Sequence, residues 1–414
     1  MTARDADHHG VRTLRTEELL EAARLVGRTM LASVSDEVTE RWAAMFEGDT
    51  THGAISSDGE VVGVARWFGT DLSLDGPSIR AACVTAVAVL STHRRQGHLR
   101  RLMDAQLESI AAAEVPIALL VAAEWPIYGR YGFGPAVDAC GIELDAAAAR
   151  FVAAPIGSIE LVGPADLRPH LEAAHDRRWA RTMGAVTRDS DTWDHIAGVR
   201  QWPNETSDPG HARGALWRDD SGAVQGAVAY RVEEGWTRNR PTGKLHVQLL
   251  VGATPVAERE LWRHLSDTDW VSTVVAGNRS VHDPLPLWLE DARAAVQLDH
   301  FDCIWARILD VPSVLRHRRA PIAGGAVLEV VDDLGFASGR WALDLGPDGA
   351  EVSPTSESAD LRLPVRALGA ASLGGTSLAR LQQAGWLDEE RPGGVARLDA
   401  LLRTPTAPWS PTTY

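Results

Sequence analysis

The chain has 414 residues, 45% of them hydrophobic, and a formal net charge of −15, so at about 150 residues per domain it should form two or three folded units. That acidity argues against nucleic acid and anionic lipid as partners and favours cationic solutes. Cys83, Cys140 and Cys303 lie far apart with no C-x-x-C pair, so a disulfide framework or zinc cluster is not expected and buried structural thiols are.

Taken in chain order, the first ten residues lack a signal peptide's apolar core, and runs such as residues 117–123 fall far short of the roughly 18 to 20 residues of a membrane span. A soluble, cytoplasmic protein is expected. Thr16-Glu17-Glu18 puts acids in the first turn of a helix whose apolar face is Leu19, Leu20, Ala23, Val26 and Met30. A second helix contains Trp42, which could contact substrate or pack, and packing is expected. Residues 54–57 and 61–67 read as a β-hairpin around Asp58-Gly59, a dipeptide that supplies the positive φ angles of a tight turn.

Val84-Thr85-Ala86-Val87-Ala88-Val89 reads as a buried strand, and Leu99, Leu102, Met103 and Leu107 then recur at helical spacing. The changeover falls at Arg94-Arg95-Gln96-Gly97. Glycine lets backbone approach a ligand closely, and the first turn of the helix offers unpaired N–H groups and a positive dipole end to an anion. This loop is therefore expected to hold a phosphate, although neither G-x-x-x-x-G-K-[ST] nor G-x-G-x-x-G stands here. Residues 115–123 give another buried strand ending at Glu124, and Trp125-Pro126 opens the run Ile127-Tyr128-Gly129-Arg130-Tyr131-Gly132-Phe133-Gly134.

Arg94-Arg95-Gln96-Gly97-His98-Leu99 resembles the R/Q-x-x-G-x-G/A signature of the GCN5-related N-acetyltransferases (GNATs), in which main-chain amides cradle the CoA pyrophosphate. Leu99 departs from it, since most members carry Gly or Ala there. With Thr92-His93 and the aromatic run, the chain is similar to one branch, the Eis (enhanced intracellular survival) aminoglycoside acetyltransferases. The resemblance implies a mixed α/β (α+β) fold: tandem acetyltransferase (GNAT) folds, the second degenerate, then a sterol-carrier-protein-like domain. It implies an assembly of identical chains, a homohexamer, and acetyl-CoA as co-substrate with no metal.

By the same resemblance, CoA is contacted by Val87, Ala88 and Val89, by Arg95, Gln96, Gly97, His98, Leu99 and Arg100, and by Ala123 and Glu124 after the next strand. Tyr128 is the implied acid, because a phenol of ordinary pKa about 10 can protonate a departing thiolate without ionising at neutral pH. Packing of its ring beside Tyr131 and Phe133 is the alternative role. The implied base is the α-carboxylate of Tyr414, with Glu124 as competitor, and His98 should face the pyrophosphate instead. The acceptor cleft should be lined by residues 33–39. The acceptor is a primary amine of an aminoglycoside-like polycation, with protein lysine as the alternative, and a non-catalytic CoA or lipid binder or a structural assembly protein remain as other classes.

Self-comparison shows a second, looser copy: residues 215–226 repeat the hairpin, Val247-Gln248-Leu249-Leu250-Val251 the strand, and Leu261 and Leu265 the helix. Between them, Pro255 removes a donor and Glu258 adds negative charge, so this copy should not bind CoA but should wall the acceptor cleft or widen an interface. From about Arg307 the texture changes to a helix through Leu315 and strands at 326–331, 341–345 and 358–363, the part that resembles a sterol carrier protein. Expected units are 1–150, 151–306 and 307–414. Residues 408–414, rich in Pro and Thr but ending in an aromatic, are expected to be tucked in.

Overall fold

The computed structural model of the chain describes residues 10–32, 35–48, 50–200 and 212–413. Strand β1 (Val11–Thr13) precedes helix α1 (Leu19–Thr29), which buries Leu19, Ala22, Ala23, Leu25 and Val26 along one face. The acids expected to open it form a short 3-10 turn, where Glu18 accepts from the guanidinium groups of both Arg12 and Arg15. Helix α2 (Asp36–Met45) is capped by Ser35, whose Oγ accepts from the Val38 amide at 3.4 Å. The expected hairpin is β2 (Thr51–Ile55) and β3 (Val61–Ser73), turning at Gly59 with φ of 86°.

Next come β4 (Ser78–Val89), antiparallel to β3, then α3 (His98–Ala112), β5 (Ile117–Leu120), the short α4 (Trp125–Tyr128) and β6 (Gly134–Asp145). The second copy comprises β7 (Ser158–Val162), α5 (Pro164–Trp179), α6 (Ser190–Ala197), β8 (Ala212–Arg218) and β9 (Val224–Glu233). A small ribbon, β10 (Trp236–Thr237) with β11 (Arg240–Pro241), interrupts it. It continues with β12 (Gly243–Gly252), α7 (Pro255–Ser266), β13 (Val271–Arg279), α8 (Leu285–Trp288) and β14 (Ala295–Ile308).

One twelve-stranded sheet joins the two copies in the order β1-β2-β3-β4-β5-β14-β6-β13-β12-β9-β8-β7. The last strand of the second copy, β14, therefore lies between β5 and β6 of the first, while β6 pairs with β13 of the second. Each copy completes the other's sheet, so a cut near residue 150 follows the chain but not the hydrogen bonding. The side chains repeat this division: Cys140, Ile142 and Leu144 of β6 pack with Leu245, Leu261 and Trp262 of the second copy. Exchange of strands pairs the backbone edges of the two copies and leaves neither a free edge at the junction.

After β14 follow α9 (Val311–Leu315), β15 (Gly324–Val331), β16 (Gly339–Gly346), β17 (Gly349–Pro354), β18 (Leu361–Pro364), α10 (Val365–Ser372), α11 (Leu378–Gln383), β19 (Asp388–Glu389) and α12 (Gly394–Leu402). Its five strands form a separate sheet, β17-β16-β15-β18-β19. The last segment is fixed to the first copy by Arg307, fully buried, which donates to the Tyr131 carbonyl at 2.7 Å and to both oxygens of Asp332 at 2.8 Å. Gly132 makes this possible, since a Cβ there would meet Arg307 Nε at 2.6 Å. All three cysteines are buried, as expected.

Candidate active site

The expected strand at 84–89 is the second half of β4, and two features set it apart. Ala86 has φ of 53°, a left-handed conformation unusual for a residue with a side chain, and the register against β3 shifts beside it. The bulge kinks the strand. On its other side β4 pairs with β5 only through Ala82 with Ala118 and Cys83 with Leu119. Beyond Cys83 the two parallel strands part, and Val87, Ala88 and Val89 have no ladder partner on that edge among the described residues. A wedge bordered by backbone donors and acceptors opens between β4 and the end of β5.

The loop beyond β4 passes through Arg95 at φ of 64° to Gly97, the N-cap of α3 at φ of 81°. No side chain caps this fifteen-residue helix, so its first amides are open to an anion at the protein surface. Arg101 folds back beneath the loop, donating from Nη2 to the Gln96 carbonyl at 3.3 Å and reaching His98 Nδ1 at 3.0 Å. The His98 side chain is buried, and burial together with Arg101 and His93 holds its pKa below the ordinary value. Its ring is thus engaged by the same Arg101 that holds the loop, while its backbone belongs to the first turn of α3. Arg95, Gln96 and Arg100 are exposed along the same mouth, and Leu99 is half-buried.

The corresponding helix of the second copy is closed. Thr254 Oγ1 accepts from the Ala257 amide at 3.2 Å, and Pro255 lacks a donor. Glu258 differs from expectation: instead of occupying a phosphate position at the surface, it is 1% exposed and pairs inward with Arg279 at 3.4 Å and Arg178 at 3.5 Å. Its charge serves the core.

Tyr128, at the end of α4, packs its ring edge-on to Phe133 with centroids 6.2 Å apart, in a cluster with Val84 and Val87 of β4. Burial, then the nearby Glu124, pushes its phenol up to about 12, so it stays protonated. Both roles weighed for it, packing and proton donation, are therefore compatible with its position. Ala123 and Glu124 are exposed at the entry to α4.

Across the bulge lies a cavity of about 640 Å³. The first copy supplies Trp42 and Met45 from α2, Arg66 and Phe68 from β3, and Cys83 and Thr85 from β4, while the second supplies residues 186–189, Thr192, His195 and Ile196 beside α6, with Gln248 and Asn278. The second copy thus walls the cleft. Trp42 both packs in the α1 core and lines the cavity. Of the segment 33–39, residues 33 and 34 lie outside the described residues and Thr39 is buried, so the cleft is lined from further along α2.

The chain's end closes the cavity. Trp409 is 4% exposed and donates from Nε1 to Asn278 Oδ1 at 3.0 Å, and its ring lies 5.0 Å from the Arg279 guanidinium. Arg188 Nη2 donates to the Pro411 carbonyl at 2.7 Å, and Pro411, Thr412 and Thr413 line the cavity. The tail is tucked in as expected, while Tyr414 itself lies outside the described residues. Glu124 does not line the cavity, and Asp189 is the one carboxylate among its described lining residues. Asp189, Arg188, Arg66 and His195 escaped the sequence reading, because no local motif marks residues that meet only through the sheet junction.

Residues 10–136 and 184–308 each match a family described as Acetyltransferase (GNAT) domain, and residues 311–411 match Sterol carrier protein domain. Fold and wedge thus define an N-acetyltransferase of the GNAT class. The chain is 33% identical over 354 residues to the N-acetyltransferase Eis of Mycobacterium tuberculosis, covering 82% of this chain and 83% of that protein. It is 37% identical over 421 residues to an "Uncharacterized N-acetyltransferase" of Streptomyces avermitilis, covering 99% of each. The crystal structure of Eis1 from Mycobacterium abscessus has a TM-score of 0.85 at 29% identity, covering 98% of this chain and 100% of that one. The chain belongs to the Eis family of GCN5-related N-acetyltransferases. The expected order of two GNAT folds and a sterol-carrier-like domain holds, and enzymes of this class use acetyl-CoA. Among the described residues no helix is long and apolar enough to cross a membrane.

Proposed function

We propose that the protein transfers acetyl from acetyl-CoA to a primary amine of a small molecule by direct attack, using the first copy alone. The observation that carries this is the meeting of the β4–β5 wedge and the 640 Å³ cavity at the Ala86 bulge. The open amides of residues 97–100 suit a diphosphate, and Arg95, Gln96 and Arg100 border them. Backbone groups of Val87, Ala88 and Val89 suit the amide-bearing arm of CoA and would polarise the thioester carbonyl. Ala123 and Glu124 flank the same wedge from the end of β5.

On this reading Tyr128 gives its proton to the leaving thiolate. The α-carboxylate of Tyr414 holds the acceptor ammonium and accepts its proton through water, a role supported by Thr413 lining the cavity and by the anchoring of Trp409 and Pro411. Both groups act by position, since direct transfer needs only a neutral amine aligned with the carbonyl. The resemblance offers an aminoglycoside-like polycation as acceptor, with protein lysine as the alternative. It also offers a cytoplasmic homohexamer, for which exposed Leu287, Val296 and Leu298 supply apolar surface.

The test is thiol release from acetyl-CoA with a panel of amines, with the N-acetyl product identified by mass spectrometry. Amine-dependent release supports the reading. Binding of acetyl-CoA with no acetylated amine from any class would return the protein to the non-catalytic CoA binders.

A further inference from the structure

The charges of the cavity do not suit a polycation. Arg66 and Arg188 both line it, and Asp189 is the one described carboxylate that does. Arg66 stands between two rings, its Cζ 5.5 Å from Phe68 and 5.7 Å from Phe46, and its Nε is buried without a hydrogen-bond partner. Arg188 lies 4.7 Å from the Trp193 ring, and its Nε and Nη1 are likewise unpartnered. Burial holds both guanidinium groups below their ordinary pKa, that of Arg188 down to about 9, which still leaves it charged at neutral pH. Unpaired guanidinium donors beside an apolar cavity favour an anion, because each buried donor left without a partner costs free energy.

Among the described lining residues one carboxylate, Asp189, stands against these two guanidinium groups. A ligand that carries a carboxylate beside its amine answers that excess of positive charge, whereas four or five ammonium groups would set several against arginines. The remaining walls decide the body of the ligand. Trp42 and Phe68 offer ring faces on the first-copy side, and Met45, Val186 and Ile196 are apolar.

We propose that the acceptor is an aromatic amine that also carries a carboxylate, its anion held by Arg66 and Arg188 and its ring by Phe68 and Trp42. The inference rests on the acetyltransferase reading above and names its substrate class. The anionic group also orients the amine, because a carboxylate fixed on Arg66 and Arg188 leaves the amine end of the ligand free to face the thioester.

The test compares kcat/KM for three probes with acetyl-CoA: phenylalanine, phenethylamine, which lacks the carboxylate, and kanamycin, a polycation. Phenylalanine is expected to exceed both by at least roughly tenfold, the value of one charge-assisted hydrogen bond. Arg66→Gln should collapse the phenylalanine-to-phenethylamine ratio by roughly 10- to 100-fold, and Arg188→Gln should do the same. Because Arg188 also holds Pro411, the Arg66 variant separates ligand recognition from tail anchoring. Preference for kanamycin, or equal losses on all three probes in the Arg66 variant, would overturn the inference and leave the acetyltransferase reading intact. Acetylation of none of them or of any other amine would overturn both.

Discussion

Arg188 donates to the carbonyl of Pro411 at 2.7 Å, joining the wall of the cavity to the end of the chain across 223 positions of sequence. Thr413 lines the same cavity, and the proposed base is the α-carboxylate of the next residue, Tyr414. Appending a short tag after Tyr414 removes that carboxylate from the site without changing a side chain. Turnover should fall severely while acetyl-CoA affinity and thermal unfolding stay as in the untagged chain. Full activity of the tagged protein would pass the base role to Asp189 or His195.

The phosphate loop gives a paired test. Arg95→Glu with Gly97→Asp should abolish acetyl-CoA binding in calorimetry. The aspartate carboxylate would itself cap α3 and occupy the amides, and aspartate is among the side chains that tolerate the left-handed φ of 81° at this position. In the second copy Ala257 is fully buried, so a charge there would damage the fold. The exposed Pro255→Glu is the matching control, expected to leave affinity unchanged.

Tyr128→Phe should lower turnover by roughly 10²- to 10⁴-fold with little change in acetyl-CoA affinity. With its phenol near pH 12, the wild-type rate should show no alkaline loss from Tyr128 between pH 7 and pH 10, where an ordinary tyrosine begins to ionise. Unchanged turnover in the variant would assign Tyr128 to packing against Phe133.

How much of this was legible follows from where each signal lies. The loop at Arg94-Arg95-Gln96-Gly97 was readable because its strand, glycine and helix are contiguous, and the aromatic run because its glycines punctuate it. The Ala86 bulge was not, since alanine carries no mark of a positive φ. Nor was the strand exchange: β14 carries exposed Val296 and Leu298 before its buried stretch, and nothing local says that its partners are β5 and β6. The cavity charges were hidden for the same reason, because Arg66 and Arg188 become neighbours of one space only once the two copies share a sheet.

His175, packed beside Trp193, offers a stability test. It is 2% exposed and packs edge-on to Trp193 at 5.0 Å, and burial, then Arg188, holds its pKa down to about 3. The unfolded chain takes this proton near pH 6.5 and the native state only near pH 3, so acid favours unfolding throughout that window. Its contribution is constant above about pH 6.5 and is lost on acidification, at up to about 1.4 kcal/mol per pH unit. Urea unfolding at pH 7, 5.5 and 4.5 should show a steeper loss for the wild type than for His175→Leu. Equal slopes would show that this histidine titrates normally.

The central claim is that one copy binds the co-substrate in the wedge beside the Ala86 bulge, and a crystal structure with CoA tests it most directly. The account predicts the diphosphate on the amides of residues 97–100 and the arm of CoA along Val87, Ala88 and Val89, its sulphur towards Tyr128. CoA lodged instead at residues 254–259, or on any face away from β4, would contradict it.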